Sequence, residues 1–455
     1  MCVIGSFPGI PKEDQFFGAP LVSNGSGLVC ADTVTTVLSD WTIPQSIIIG
    51  MCWDTTSTNT GHIQGAATYF ESRMMRAILW LACRHHMGEL HVKHPHKKLR
   101  VIKTTSPDDI MFKRFQEVFE SLPPCTYRLF EWPENRQHPM DFLTTRAKEA
   151  LEWGMQQMQA GTFNKQRDDY RELNELVVVY LGGEVTRRRK NGQLDQHQFV
   201  MRHPGAFHQA RFLAKGLYII KISMMADVLS EHVLPAEKRD AVDRMAKFIA
   251  IFHAKYFLQA FLPSAAPRLD LAYWNDMVEF HRYDPEISFE VHESLLRHLW
   301  YLTEELTILS LFDRELNYQS RTDIANTLLS YPRPQTFAPQ KPVFPTNDQL
   351  SNYPAIDTFI GPRSWLFFDV LGIHDPGWLH LPSEEWASDA QYQEIECIVA
   401  DLSVTNDTAE RAVNKVTQYT NSANDGGQRG KRVEVVSWHH SKMKGYTKND
   451  LENVL

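Results

Sequence analysis

The segment that most constrains this chain covers residues 46–86, SIIIGMCWDTTSTNTGHIQGAATYFESRMMRAILWLACRHH. It opens on a β-branched apolar run, Ile47, Ile48 and Ile49, whose consecutive hydrophobicity predicts a strand buried on both faces, as in a parallel sheet. Asp54 falls at the carboxyl end of that strand. The following Thr-Thr-Ser-Thr-Asn-Thr-Gly is rich in turn formers and helix caps. From Ala66, apolar residues recur at Tyr69, Phe70, Met74, Ala77, Ile78 and Leu81, which is helical spacing. The expectation is a strand, an acidic loop and one amphipathic helix. Cys83, Arg84, His85 and His86 end that helix, with Cys83 and His86 on one face.

Upstream, MCVIGSF (residues 1–7) reads as a strand followed by a Pro- and Gly-rich connection, and residues 31–41 read as a helix. A chain that opens inside a strand suggests an N-terminally shortened copy of something longer. Downstream of His86, the tract with His91, Lys93, His94, His96, Lys97 and Lys98 reads as a solvated polar loop rather than a metal site. From about residue 107 to 331 the pattern turns to long helical periodicities: 110–122, 142–158, 168–181, 207–229, 236–261 and 289–312. Six prolines between Tyr331 and Pro354 predict an extended linker or surface-hugging segment. After it, residues 363–371 predict a helix, 395–404 a strand, and 405–419 a helix capped by Asn406 or Asp407 with Glu410 in its first turn.

Composition excludes several classes. A chain of 455 residues with 43% apolar and 22% charged residues is ordinary globular protein able to bury a large core. Its net charge of -8 argues against coating nucleic acid through overall charge, although the local Arg187, Arg188, Arg189 and Lys190 run can meet phosphates. The six cysteines show no paired framework, which fits a reducing compartment, nuclear or cytoplasmic. No apolar run reaches the roughly 18–20 residues of a membrane helix, so no membrane partner is expected.

The order Asp54-Thr-Thr-Ser-Thr-Asn-Thr-Gly, then Cys83-x-x-His86, then a long helical block, then Asn406-Asp407-Thr408-Ala409-Glu410-Arg411 resembles the RNase H-like DDE transposases of the hAT and P-element type. The resemblance implies an α/β fold: an RNase H-like domain, with a mixed, mostly parallel sheet and flanking helices, split by a large all-helical insertion. The corresponding divisions are 1–103 for the first part, lacking its first strand, 104–355 for the insertion and Pro-rich linker, and 356–455 for the closing part with a polar tail. It also implies metal-dependent DNA strand cleavage and transfer. Two Mg²⁺ or Mn²⁺ ions would be held by carboxylates, with Asp54 and Glu410 as catalytic and metal-ligating residues, and with transposon-end DNA and a second copy of the chain as partners.

The family needs a third acid on its opening strand. Asp14, Asp32 and Asp40 lack that setting, so the expectation is a catalytically incomplete, transposase-derived protein; the alternative is a non-catalytic DNA- or protein-binding scaffold of the same descent. Bland readings stand beside each residue. Asp54 also suits a turn former, Cys83 a small buried hydrophobe, and Glu410 an ordinary first-turn acid. Zinc at Cys83 and His86 is disfavoured because a second ligand pair is missing. Glu304 and Glu305 are rival acids on a more apolar helix. In this frame Asp54 and Glu410 should flank one metal pair, and one small sheet should join the strand ending at Trp53 to segments near Met1 and near His86 to Val92.

Overall fold

The structure, a computed structural model, describes residues 3–5, 15–99, 109–123, 127–132, 141–165, 168–188, 194–196, 199–205 and 213–406. The chain divides into two compact units. Among the described residues, those up to Met87, Ala260–Asn275 and Leu295–Asn406 form the first, and those of Gly88–Gln259 with Asp276–Ser294 form the second. The architecture is mostly helical with a small parallel sheet, an α/β-type fold.

In the first unit, β1 (Val3–Gly5) and β2 (Gln15–Gly18) pair antiparallel, and Val3 and Phe17 pack against Val37 of α1 (Gly27–Asp40), whose N-cap is Ser26. β3 (Gly50–Trp53) leads through the short α2 (Ser57–Thr60) and α3 (Ala66–Met74) to β4 (Leu79–Ala82), and β4 lies parallel to β3 with Met51 opposite Trp80. α4 (Arg84–Lys98) starts immediately after β4. The segment near Met1 pairs with β2 and not with β3, so the expected single sheet is two separate pairs among the described residues.

Several local expectations are corrected. The Ile47–Ile49 run precedes the strand it is expected to form. Residues Gln45–Ile47 make a 3₁₀ turn, and Ile47 is 55% exposed. Arg76 holds this turn by donating to the carbonyls of Ser46 (2.8 Å) and Ile48 (3.2 Å). The predicted helix from Ala66 to His86 stops at Met74, with Met75 in the left-handed region at φ 52°. Its second half is β4, whose four residues are all buried. Helical spacing at Ala77, Ile78 and Leu81 competed with an unbroken apolar run, and burial on both faces decided for the strand. Glu71 of α3 then reaches the entry to β4: its carboxylate accepts the Ile78 N–H at 2.9 Å, and burial lifts its pKa to about 7.

The His- and Lys-rich tract is likewise no loop. It is the body of α4, and His91 and His96 are buried in it.

The second unit is helical. It contains α5 (Ile110–Val118), α6 (Phe142–Ala160), α7 (Asp168–Tyr180), a hairpin of β5 (Thr186–Arg188) and β6 (Leu194–Gln196), α8 (Ala214–Met224), α9 (Ala236–Phe248) and α10 (Ala254–Leu258). α11 (Ala266–Phe280) begins in the first unit and its last residues, from Asp276, belong to the second, whose block α12 (Pro285–Leu296) completes; one π-helical turn, Ile249–His253, joins α9 to α10. The predicted helix over 289–312 breaks after α12 into short turns and α13 (Glu304–Thr307). Beyond these, in the first unit, come α14 (Tyr318–Ser330), the Pro-rich stretch with one short helix, α15 (Asn347–Leu350), and α16 (Leu366–Val370).

The predicted strand over 395–404 is instead α17 (Ala390–Ala400), capped by the Asp389 carboxylate on the Tyr392 N–H. Its buried residues Tyr392, Ile395 and Val399 lie three and four apart, the period of a helix.

The second unit's interior is polar as well as apolar. On α7, Asp169, Glu172, Asn174 and Glu175 are all buried, and the buried Lys221 of α8 meets Glu172 at 2.5 Å. His253, in the π-helical turn, lies among Phe248, Tyr256 and Phe257, and burial lowers its pKa to about 3. The folded chain therefore keeps His253 neutral, while an unfolded chain protonates it below about 6.5. Its contribution is intact above pH 6.5 and is lost as pH falls towards 3. At pH 5 this linkage costs about 2 kcal/mol. We expect His253→Phe to remove that much of the difference between urea stabilities at pH 7.5 and pH 5, whatever its effect at pH 7.5. An unchanged difference would contradict the assignment.

Candidate active site

Asp54 follows β3 directly, at the carboxyl end of the parallel pair, and is half-buried. Its Oδ1 accepts the Thr56 N–H at 3.0 Å and the Asn59 side-chain amide at 2.8 Å. The first bond is an Asx-type turn and the second ties the carboxylate to α2. Oδ2 has no hydrogen-bond partner among the described residues. A carboxylate fixed through one oxygen, with the other available, suits a hard divalent cation, which prefers oxygen ligands. Among the described residues no group of three or more His, Cys, Asp or Glu side chains is arranged to hold a metal ion.

The Thr-rich loop also carries a contact that composition does not announce. The Thr55 N–H donates to His86 Nδ1 at 2.9 Å, and Thr55 Oγ1 lies 2.9 Å from the same nitrogen. Cys83 is buried, and its Sγ accepts the Asn406 N–H at 3.0 Å, while the Arg84 N–H donates to the Val404 carbonyl at 2.9 Å. Residues 404–406 thus run to the carboxyl end of β4, beside the Asp54 turn. Glu410 comes four residues after Asn406, and it lies outside the described residues, with everything from Asp407 on.

The rival acids are turned to structural partners. Glu304 Oε2 accepts the Arg363 N–H at 2.8 Å, capping the 3₁₀ turn Pro362–Trp365, and Ser364 Oγ donates to the Glu304 carbonyl at 2.7 Å. Buried Glu305 meets Arg363 Nε at 2.6 Å. Of the earlier candidates for a first acid, Asp32 pairs with Arg73 at 2.5 Å, Asp40 is the last residue of α1, and Asp14 lies outside the described residues.

Sequence reasoning singled out Asp54, Cys83 and His86, read Asn406 only as a helix cap, and missed the contacts of Thr55 and Asn59. Asn59 was legible in part, because an amide five residues past a strand-end acid can turn back to it. Thr55 and Asn406 act through backbone N–H groups, which leave no side-chain signature.

A Cβ at Gly361 would come 2.2 Å from the Glu304 carboxyl carbon, so the carboxylate would have to swing aside and give up the Arg363 N–H. Gly361→Ala should destabilise the chain by about 2–4 kcal/mol through overpacking and loss of the cap. In a Glu304→Ala background the same change should cost much less, read from urea midpoints as a double-mutant cycle. Equal costs in both backgrounds would show that the contact is not the cause.

No described helix is long and apolar enough to cross a membrane. Comparison of the chain with protein-family models, with curated proteins and with solved structures finds no match.

Proposed function

We propose that this chain is a transposase-derived protein with an RNase H-like domain, related in chemistry to metal-dependent enzymes that cut and join DNA strands, and catalytically incomplete. Asp54 and Glu410 are the proposed metal-ligating acids, and transposon-end DNA and a second copy of the chain the proposed partners. The observation that carries this reading is the geometry at the carboxyl end of the β3–β4 pair. There Asp54 presents Oδ2, and the backbone of 404–406 is bonded beside it, four residues before Glu410. The order of elements also supports it: strand, acid, helix, parallel strand, Cys-x-x-His, then a helical block.

A bound Mg²⁺ or Mn²⁺ pair supplies the positive charge that activates an attacking oxygen and stabilises a leaving one. The chain's own residues contribute position. Thr56 and Asn59 fix one oxygen of Asp54, so the other is held in one place without ordering a flexible side chain on binding. The sequence offers no second strand-end acid before Asp54, and a near-octahedral ion held by few carboxylates binds weakly.

Two measurements test the proposal. Mn²⁺ titration followed by electron paramagnetic resonance should show weak binding, reduced about tenfold or more by Asp54→Ala and by Glu410→Ala, the loss expected when one charged ligand is removed. Nicking of a duplex oligonucleotide in Mg²⁺ or Mn²⁺ should be slow or absent. Robust metal-dependent cleavage that survives Asp54→Ala, or Mn²⁺ binding indifferent to both substitutions, would overturn the choice of acids.

A further inference from the structure

Cys83, the residue between β4 and α4, and His86, in the first turn of α4, stand three residues apart directly behind β4. A zinc pair would aim both side chains at one point. These two reach different pieces of chain. His86 Nδ1 takes the N–H of Thr55, the neighbour of Asp54, and Cys83 Sγ takes the N–H of Asn406. Between them, the Arg84 N–H donates to the Val404 carbonyl, so the same turn grips residues 404–406 twice. Cys83 itself caps the helix, its carbonyl accepting the Met87 N–H at 3.1 Å.

We propose that Cys83 and His86 are positioning residues: a two-sided clamp that locks the Asp54 turn and the 404–406 segment to the head of α4, and so to each other. The β3–β4 pair alone does not do this, because its last ladder bond, from the Cys83 N–H to the Trp53 carbonyl at 2.8 Å, ends before Asp54. The clamp takes over where the ladder stops. It also sets the imidazole tautomer. To accept an amide N–H, Nδ1 must present its lone pair, so the ring proton sits on Nε2 and the ring is neutral; the Thr55 hydroxyl shares that lone pair as a three-centre contact. Asparagine keeps an acceptor close to the Nδ1 position and leucine does not, so the two substitutions separate hydrogen bonding from bulk.

Selective ¹⁵N labelling of histidine should show His86 of the unmodified protein with a bare, hydrogen-bonded Nδ1 and a protonated Nε2 at pH 7. A protonated Nδ1 overturns the proposal without any variant having to fold. Amide hydrogen exchange should then speed up at Thr55 by about tenfold or more in His86→Leu, the loss expected for one hydrogen bond that limits local opening, and by much less in His86→Asn. Cys83→Val should speed exchange at Asn406, and Cys83→Ser should do so less. Unchanged exchange at both amides overturns the clamp. So does stoichiometric Zn²⁺ binding that is lost in both Cys83→Ser and His86→Asn, because the pair would then be ligands.

A third arm rests on the function proposed above: Tb³⁺ luminescence sensitised by Trp53, next to Asp54. His86→Leu should weaken Tb³⁺ binding several-fold and His86→Asn should restore it. If exchange responds as expected while Tb³⁺ binding ignores Asp54→Asn, the clamp stands and the metal reading falls.

Discussion

The first unit is assembled from three separate stretches of chain, the first of them far from the others in sequence, and what joins them is the buried guanidinium of Arg84. Its Nη2 meets Asp270 Oδ1 at 2.6 Å, both groups being almost wholly excluded from solvent. Its Nη1 donates to the Ala260 carbonyl, and its plane lies over the Tyr301 ring, whose hydroxyl donates to the Ala82 carbonyl at 2.7 Å. Residues 82–84, 260–270 and 301 thus share one polar knot in an apolar setting, beside the stacked indoles of Trp80 and Trp300. A buried ion pair adds little net stability over an apolar replacement, but losing one partner leaves a charge stranded, at about 3–5 kcal/mol. The knot therefore acts as a selector: only the arrangement that returns Asp270 to Arg84 avoids that penalty. A unit whose chain departs at residue 87 and returns at 260 needs such a device, because loop closure over that length gives it no local guidance.

The same logic governs the helical unit at another scale. α7 is buried over nearly its whole length although it carries four acidic side chains in its first eight residues. It can be buried because its carboxylates are met: Glu172 by Lys221, and Glu175 by Arg202 at 3.3 Å. Asn174 donates to the Gly154 carbonyl of α6 at 2.9 Å. Arg244 repeats the pattern with a two-pronged grip on Asp284, whose Oδ1 also caps α12 by accepting the Ile287 N–H. Polar residues here specify which helix lies beside which, a task that interchangeable apolar contacts perform poorly.

These features explain what could and could not be read beforehand. The helices over 110–118, 142–160 and 168–180 were legible because period and caps agree: Asp109 and Asp141 cap the first two through Phe112 and Thr144. Legibility failed where one pattern satisfied two templates. The residues AILWLA fit a helical stripe as well as a buried strand, and only the partner strand distinguishes them. The Ile47–Ile49 run resembles the strand because β-branched residues favour one, but Arg76, remote in sequence, captures the Ser46 and Ile48 carbonyls at its start, and the strand begins at Gly50. The site divides the same way. Asp54 was legible as an acid at a strand end, whereas its tie through Thr55 to His86 is a backbone bond spanning 31 residues, set by tertiary placement and not by local pattern.

The geometry of Asp54 also shows why a modest and an ambitious reading of one acid can share the same hydrogen bonds. As a turn former, Asp54 needs one oxygen facing the Thr56 N–H, and that oxygen is Oδ1. As a ligand it needs its carboxylate immobilised and one oxygen left over, which the same bond and that from Asn59 provide. The turn is compatible with the proposed ligand role, because a side chain already fixed would lose little rotamer freedom on binding a cation. What separates the two readings is therefore not the environment of Oδ1 but the use made of Oδ2. A turn former is indifferent to that atom, so replacing Asp54 with asparagine, oriented to keep its carbonyl toward Thr56 and Asn59, would preserve the fold while removing the negative charge. Stability that survives this change beside lost cation binding assigns the second oxygen to function, and stability lost with it assigns Asp54 to architecture.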